Sequence, residues 1–261
     1  MKLKLKESIT VEKGAVYQPG NLIYGTSTTS GANEIRRCKG FSSTVTDLVT
    51  SIEQVYGLGW DGEHLLNYVH IYGWVEKRQG FSSTIIDTIT PAHSGYDITW
   101  GDGNLYTATS DEIWKYKGFS GEADRCIYSG SGVYGLAFDG KNLYSTCSVS
   151  GVTKINKHKG CTGTITDSFD YPYTMPHGLA WDGENICISD HFELLISQQE
   201  GFSATTKYAF HVSGVGYVGG LAWEYFMGAP RARFISRLFP VQDGARCSYP
   251  RSGYCVIISL D

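Results

Sequence analysis

The sequence predicts an all-β fold, a six-bladed β-propeller of four-stranded blades, and three observations carry that expectation. A short unit recurs through the 261-residue chain with a period of about 41 residues. Two markers keep the same register within it. The segments between markers alternate apolar and polar residues, and no helical periodicity persists for more than a few residues.

The first marker is an anchoring aromatic. Tyr56-Gly-Leu-Gly-Trp-Asp-Gly62, Tyr134-Gly-Leu-Ala-Phe-Asp-Gly140 and His177-Gly-Leu-Ala-Trp-Asp-Gly183 are the clearest copies. Tyr96-Asp-Ile-Thr-Trp-Gly-Asp-Gly103 carries one extra residue, Gly219-Gly-Leu-Ala-Trp-Glu224 is another copy, and Lys13-Gly-Ala-Val-Tyr-Gln18 is a worn one. The anchors are Tyr17, Trp60, Trp100, Phe138, Trp181 and Trp223, at intervals of 43, 40, 38, 43 and 42. The second marker is Gly-Phe-Ser at 40–42, 80–82, 118–120 and 201–203, with Gly160-Cys161-Thr162 as the fourth of five copies.

Each unit then reads as four strands in order. Gly-Leu-Ala-Trp is the first, and Asp-Gly makes the tight turn after it, because a two-residue hairpin needs positive φ at its centre. Asn-Leu-Tyr, at 104–106 and 142–144, opens the second. The third alternates, as in Glu112-Ile-Trp-Lys-Tyr-Lys117, and Gly-Phe-Ser turns the corner. The fourth is rich in β-branched residues, as in Ser82-Ser-Thr-Ile-Ile-Asp-Thr-Ile-Thr90. Four strands per 41 residues describe a propeller blade. Six anchors predict six blades in a single domain over 1–261, with the first strand of each lining the channel. Small residues there allow close approach. Residues 2–11 mostly alternate, and a strand there is expected to close the ring and remove an open edge. Residues 224–261 lack both markers and form a divergent last blade.

Met175-Pro-His-Gly-Leu-Ala-Trp-Asp-Gly-Glu-Asn-Ile186, with the Ile-x-Lys strands that follow such copies, resembles the repeat of six-bladed propellers in the NHL and TolB-like group. The resemblance covers about residues 13–223. It implies a fold and not a function, since that group includes RNA readers, interaction modules, sugar-lactone hydrolases, lyases and receptor domains.

Composition narrows the classes. Formal charge is −4, from 22 basic and 26 acidic residues, which argues against a broad nucleic-acid surface. Glycine is 32 of 261, well above the usual ~7%. No apolar run approaches the ~18 residues of a membrane helix, and the Lys-rich start has no apolar region after it, so neither a signal peptide nor membrane insertion is expected. A cytoplasmic or particle- or surface-associated location fits equally. Seven cysteines at irregular spacing, with no Cys-x-x-Cys, do not form a disulfide or zinc framework, although Cys247 and Cys255 could bridge.

Candidate site residues come from the top face, where the loop before each first strand and the loop between second and third strands meet. The channel mouth is set four residues before each anchor, by Lys13, Tyr56, Tyr96, Tyr134, His177 and Gly219. Three tyrosines and a histidine there could stack on a sugar or grip a peptide, or simply pack against the next blade. The next position inward reads Gly14, Gly57, Asp97, Gly135, Gly178 and Gly220, so Asp97 is the one departure. A carboxylate near the axis needs a water, a cation or a partner group. His191 joins the candidates from its top loop. Glu53, Asp97 and Asp190 are too few for a hard cation, which wants six or more oxygens. No serine elbow exists, and no Glu stands in register with a histidine. Basic residues sit mostly in third strands (Arg36, Arg37, Lys77, Arg78, Lys115, Lys154) and read as a solvated strand face rather than an RNA surface. The Gly-Phe-Ser phenylalanines, Phe41, Phe81, Phe119 and Phe202, are expected to fold back onto their blades.

The sequence thus predicts a non-catalytic recognition or scaffold module binding a protein or a glycan, of an adhesive kind such as a surface or virion protein, with no cofactor. The near-identical copies at 40–44 and 80–84 suit multivalent binding, and the N-terminal strand offers a route to assembly. The alternative is a hydrolase or lyase of the sugar-lactonase or streptogramin-lyase type, with a divalent cation near Asp97.

Overall fold

The computed structural model describes residues 20–225, apart from 94, 150 and 174. The described residues open with the strands β1 (Asn21–Thr28), β2 (Asn33–Lys39) and β3 (Val45–Ser51). Four complete blades follow. They are β4 to β7 (Val55–Trp60, Leu65–Val69, Trp74–Arg78, Ile85–Ile89), β8 to β11 (Asp97–Gly101, Asn104–Ala108, Glu112–Tyr116, Ala123–Ser129), β12 to β15 (Leu136–Phe138, Leu143–Val149, Val152–His158, Ile165–Asp170) and β16 to β19 (Pro176–Trp181, Ile186–Asp190, Leu195–Gln199, Thr206–His211). A last strand, β20 (Val215–Glu224), lies beside β1 and completes the first blade in the order β20-β1-β2-β3. All strand pairs within the blades are antiparallel, and the inner strands β20, β4, β8, β12 and β16 pack in a closed ring.

The propeller therefore has five blades, and the expected six is corrected. Six anchors predict six blades, but among the described residues five sets of outer strands accompany them. For the blade holding residues 21–51, the repeat supplies two candidate inner strands, around Tyr17 and around Trp223, and β20 occupies the slot. Tyr17 lies outside the described residues, as do the strand read at 2–11, the stretch 226–261 and Cys247 with Cys255. The five Gly-Phe-Ser-type corners match the blade number.

The join is written in side chains. In the fourth and fifth blades an anchor acid accepts from an Asn three residues later. Asn142 Nδ2 donates to Asp139 Oδ2 (3.0 Å) and Asn185 Nδ2 to Asp182 Oδ2 (3.1 Å). In the first blade Asn21 donates to Glu224 in the same way, across the ring closure instead of a turn. Arg37 on β2 adds an ion pair to Glu224 (3.0 Å). Gly20 is needed for this approach, because a Cβ there would fall 2.3 Å from the Glu224 carbonyl oxygen.

Turn chemistry shapes every blade. The corner glycines Gly40, Gly80, Gly118, Gly160 and Gly201 have φ of 63, 56, 66, 59 and 60°. That left-handed conformation is open to glycine at little cost. Among the turns that follow the inner strands, only that of the third blade, with its extra residue, is a strict two-residue hairpin, with positive φ at both Asp102 and Gly103. Elsewhere the Asp side chain shapes a longer turn: Asp139 Oδ1 accepts from the Lys141 and Asn142 amides (2.7 and 2.5 Å), and Asp61 Oδ1 from Glu63 and His64 (3.0 and 2.7 Å).

Burial is divided among five apolar cores, and each takes one corner residue: Phe41, Phe81, Phe202, Phe119 and Cys161. The corners fold back, as expected. The third-strand basic residues are not a uniformly solvated face. Lys77 pairs with Asp61 (2.8 Å), Arg37 with Glu224, and Arg78 is buried against Glu76 (2.7 Å), while Lys154 pairs with Asp170 in the open. Several of these charges hold a third strand to an acid beside it, so they are fold determinants rather than solvent decoration.

Candidate functional site at the channel axis and top face

The inner strands crowd at the axis. A Cβ on Gly57 would lie 2.7 Å from the Ile98 nitrogen, on Gly178 2.5 Å from Leu221 nitrogen, and on Gly220 2.7 Å from Leu58 nitrogen. Real Cβ atoms do not approach backbone so closely, so glycine at these positions is what lets five strands meet. The five equivalent positions, Gly57, Asp97, Gly135, Gly178 and Gly220, are each followed by an apolar residue, Leu58, Ile98, Leu136, Leu179 or Leu221.

Asp97 fills the space that the glycines leave. Its side chain is fully buried. The Leu136 amide donates to Oδ2 (2.7 Å) and the Ile98 amide to Oδ1 (2.9 Å). The amides of Leu58 and Leu179 lie near the same carboxylate and favour its charged form. Burial pushes the carboxyl above its ordinary range, and these four amides pull against that shift. Every hydrogen bond the group makes among the described residues is one it accepts. A protonated acid would turn an O–H towards N–H groups, so the surroundings suit the anion. The partner that a carboxylate at this depth requires is therefore backbone, drawn from four inner strands.

Above Asp97 the remaining predicted residues come together. Tyr56, Tyr96 and Tyr134 ring His177, with centroid separations of 5.5, 6.5 and 6.0 Å, and Tyr96 meets Tyr134 edge-on at 4.9 Å. His191 joins at 5.4 Å from His177. His177 is buried, while the three tyrosines and His191 keep part of their surface in solvent. Burial first, then the neighbouring His191 and His70, push the His177 imidazole down to about 4. Burial also lowers His191, and Asp190 opposes it. Both rings are held neutral near neutral pH by the cost of desolvating a cation. Asp190 shapes its loop, accepting from the amides of Phe192 (3.1 Å), Glu193 (3.0 Å) and Met175 (3.1 Å).

Two members of this plate were not read from the sequence. Tyr217 is buried and lies 5.5 Å from Tyr56 and 4.7 Å from His191, with its hydroxyl 3.4 Å from His177 Nδ1. Its phenol is driven well up by burial, with Tyr56 and Asp97 adding to the shift. Gly219 holds the mouth position in that blade, and a Cβ there would strike the Tyr217 ring at 2.4 Å. The missing side chain makes room for a ring from two residues upstream. His70 packs at 4.4 Å on Tyr56 and 6.0 Å on Tyr96. It ends its second strand at the offset that His191 has in the fifth blade, five residues after Leu65 and Ile186 respectively. That shared register was the available signal.

The plate closes the top of the channel. Below it, on the lower face, a small depression of about 20 Å³ opens to solvent between the anchors Trp60, Trp100, Phe138, Trp181 and Trp223. Around the plate the top loops expose large apolar side chains: Ile71 and Phe192 are 68% and 65% exposed, and Ile52, Tyr72 and Tyr173 are also open. Among the described residues no three His, Cys, Asp or Glu side chains are grouped as metal ligands. No helix of the described residues is long and apolar enough to cross a membrane.

No protein-family model matches the chain, and no curated protein sequence does. The resemblance to the NHL and TolB-like group thus extends to propeller architecture and no further. Solved structures share the fold. The chain is similar to one from the nidogen/laminin complex, with 11% identity and a TM-score of 0.55, over 79% of this chain and 99% of that one. It is also similar to the glutaminyl cyclase of Myxococcus xanthus, with 12% identity and a TM-score of 0.50, over 76% and 85% of the two chains. At such identities the likeness is one of fold.

Proposed function

We propose that this propeller is a non-catalytic recognition module that binds a partner protein on its top face. One observation carries the reading: Asp97, His177 and Tyr217 at the channel are engaged within the fold, and what the top face offers is apolar and aromatic contact surface. The Asp97 oxygens already accept amides, and His177 and Tyr217 are packed into the plate. Solvent meets the tyrosine edges and a surround of Ile52, Ile71, Tyr72, Tyr173 and Phe192. Exposed large apolar side chains clustered on one face are characteristic of contact sites, and aromatic side chains are enriched in them. The similar nidogen/laminin chain was itself crystallised in a complex of two proteins, which agrees with this use of the fold. The reading needs no cofactor and accommodates a surface or virion protein.

The experiment places a photo-crosslinking residue at Tyr72 or Phe192, with Ser42 on the lower face as control, in cells or particles that contain the protein. Discrete protein adducts from the two top positions and none from Ser42 support the reading. A glycan array run in parallel distinguishes the other ligand class: glycan binding lost in Tyr56→Ala and Tyr96→Ala, with no protein adduct, would replace the protein partner by a sugar. Neither adduct nor glycan binding would overturn recognition through this face.

A further inference from the structure

We infer that the inner-strand amides form an anion-binding site on the propeller axis, and that Asp97 is an anion the chain supplies to it. The repeat places glycine at four of the five equivalent positions, Gly57, Gly135, Gly178 and Gly220, and the residue after each begins the apolar half of the strand. Ring closure brings these strands together so that amides from the second, third, fourth and fifth blades reach one point. N–H dipoles aimed at a common point bind negative charge, whatever molecule bears it. At 2.7 and 2.9 Å, the Leu136 and Ile98 contacts have the length of charge-assisted hydrogen bonds. No basic side chain is among the groups that bond this carboxylate, so backbone holds it. The site is a property of the repeat geometry, and Asp97 completes it from within one blade.

Asp97→Gly is the informative variant, because it returns the third blade to the residue that its four counterparts carry. Backbone sterics therefore favour it, and it removes the equivalent of one acetate from the axis. The anion proposal predicts that Asp97→Gly lowers Tm by about 10 °C. Adding about 0.2 M acetate or formate should restore roughly 5 °C of that. Acetamide, the neutral isostere, should restore none, and acetate should leave the wild-type Tm unchanged. Equal effects of acetate and acetamide, or an equal effect of acetate on wild type and variant, would overturn the site, as would a variant as stable as the wild type. Asp97→Asn keeps the question open to test if the glycine variant does not fold. It preserves shape and removes charge, so its Tm should fall by at least about 5 °C without acetate rescue, since the space is filled. An Asn variant matching the wild type would show that the axis needs no anion.

Discussion

Acidification from about pH 7.5 to about pH 5 is expected to cost the propeller roughly 4 kcal/mol, through His158 and His177. His158 is fully buried, with Nε2 2.8 Å from the Ser145 hydroxyl and its ring 5.2 Å from Tyr128. Burial pushes both imidazoles down to about 4. In the unfolded chain each takes a proton near its ordinary value of about 6.5. Between those limits unfolding binds protons, so stability is full above about pH 6.5 and is lost progressively as pH falls towards 4. At pH 5 each histidine accounts for about 2 kcal/mol, a large part of the ~5–15 kcal/mol of a typical domain. The corresponding fall in Tm is about 10 °C. Calorimetric Tm would be measured across this range for wild type, His158→Gln, His177→Gln and the double variant. Each single variant should lose about half of the pH dependence, and the double variant most of it. The Asp97 carboxyl, at the axis, adds its own share to the pH dependence. That share is common to all four proteins and drops out of their differences. A double variant that keeps the wild-type slope would refute the assignment.

The glycines of the axis and of the surface should differ sharply. Gly178→Ala puts a Cβ 2.5 Å from the Leu221 nitrogen and is expected to cost more than about 3 kcal/mol in urea unfolding, while Gly216→Ala, with open space around it, should stay within about 0.5 kcal/mol. The closure should be equally selective. Glu224→Ala removes the buried carboxylate that Asn21 donates to and one of the two acids paired with Arg37, which keeps Asp47, an expected loss of about 2 kcal/mol. Lys154→Ala breaks only the solvent-exposed pair with Asp170, and a change above about 1 kcal/mol there would contradict the burial argument.

Much of this architecture is legible without coordinates. The corner glycines, the β-branched fourth strands and the anchor aromatics are local signals, and each blade repeats them. Blade number was misread from the anchors, because an anchor marks an inner strand and not a blade. Counting the corners avoids the error, since a corner exists only where outer strands do. Among site residues, Tyr56, Tyr96, Tyr134 and His177 follow from repeat register and meet around one ring. Tyr217 escaped that register because a glycine stands where its blade should present a side chain. His70 escaped because only the histidine of the equivalent loop in the fifth blade was singled out.

By itself, then, the sequence determined the strands, their turns and the repeated packing of corner on core, which depend on residues within one unit of about 41. It also identified Asp97 as the one residue out of pattern. Only the tertiary structure decided which inner strand closes the first blade, joining Asn21 to Glu224 across 203 residues, and which groups bond the Asp97 carboxylate. Both outcomes depend on the ring being shut. Amides from four strands face one carboxylate only once all five blades have met, and no spacing within a repeat encodes that meeting.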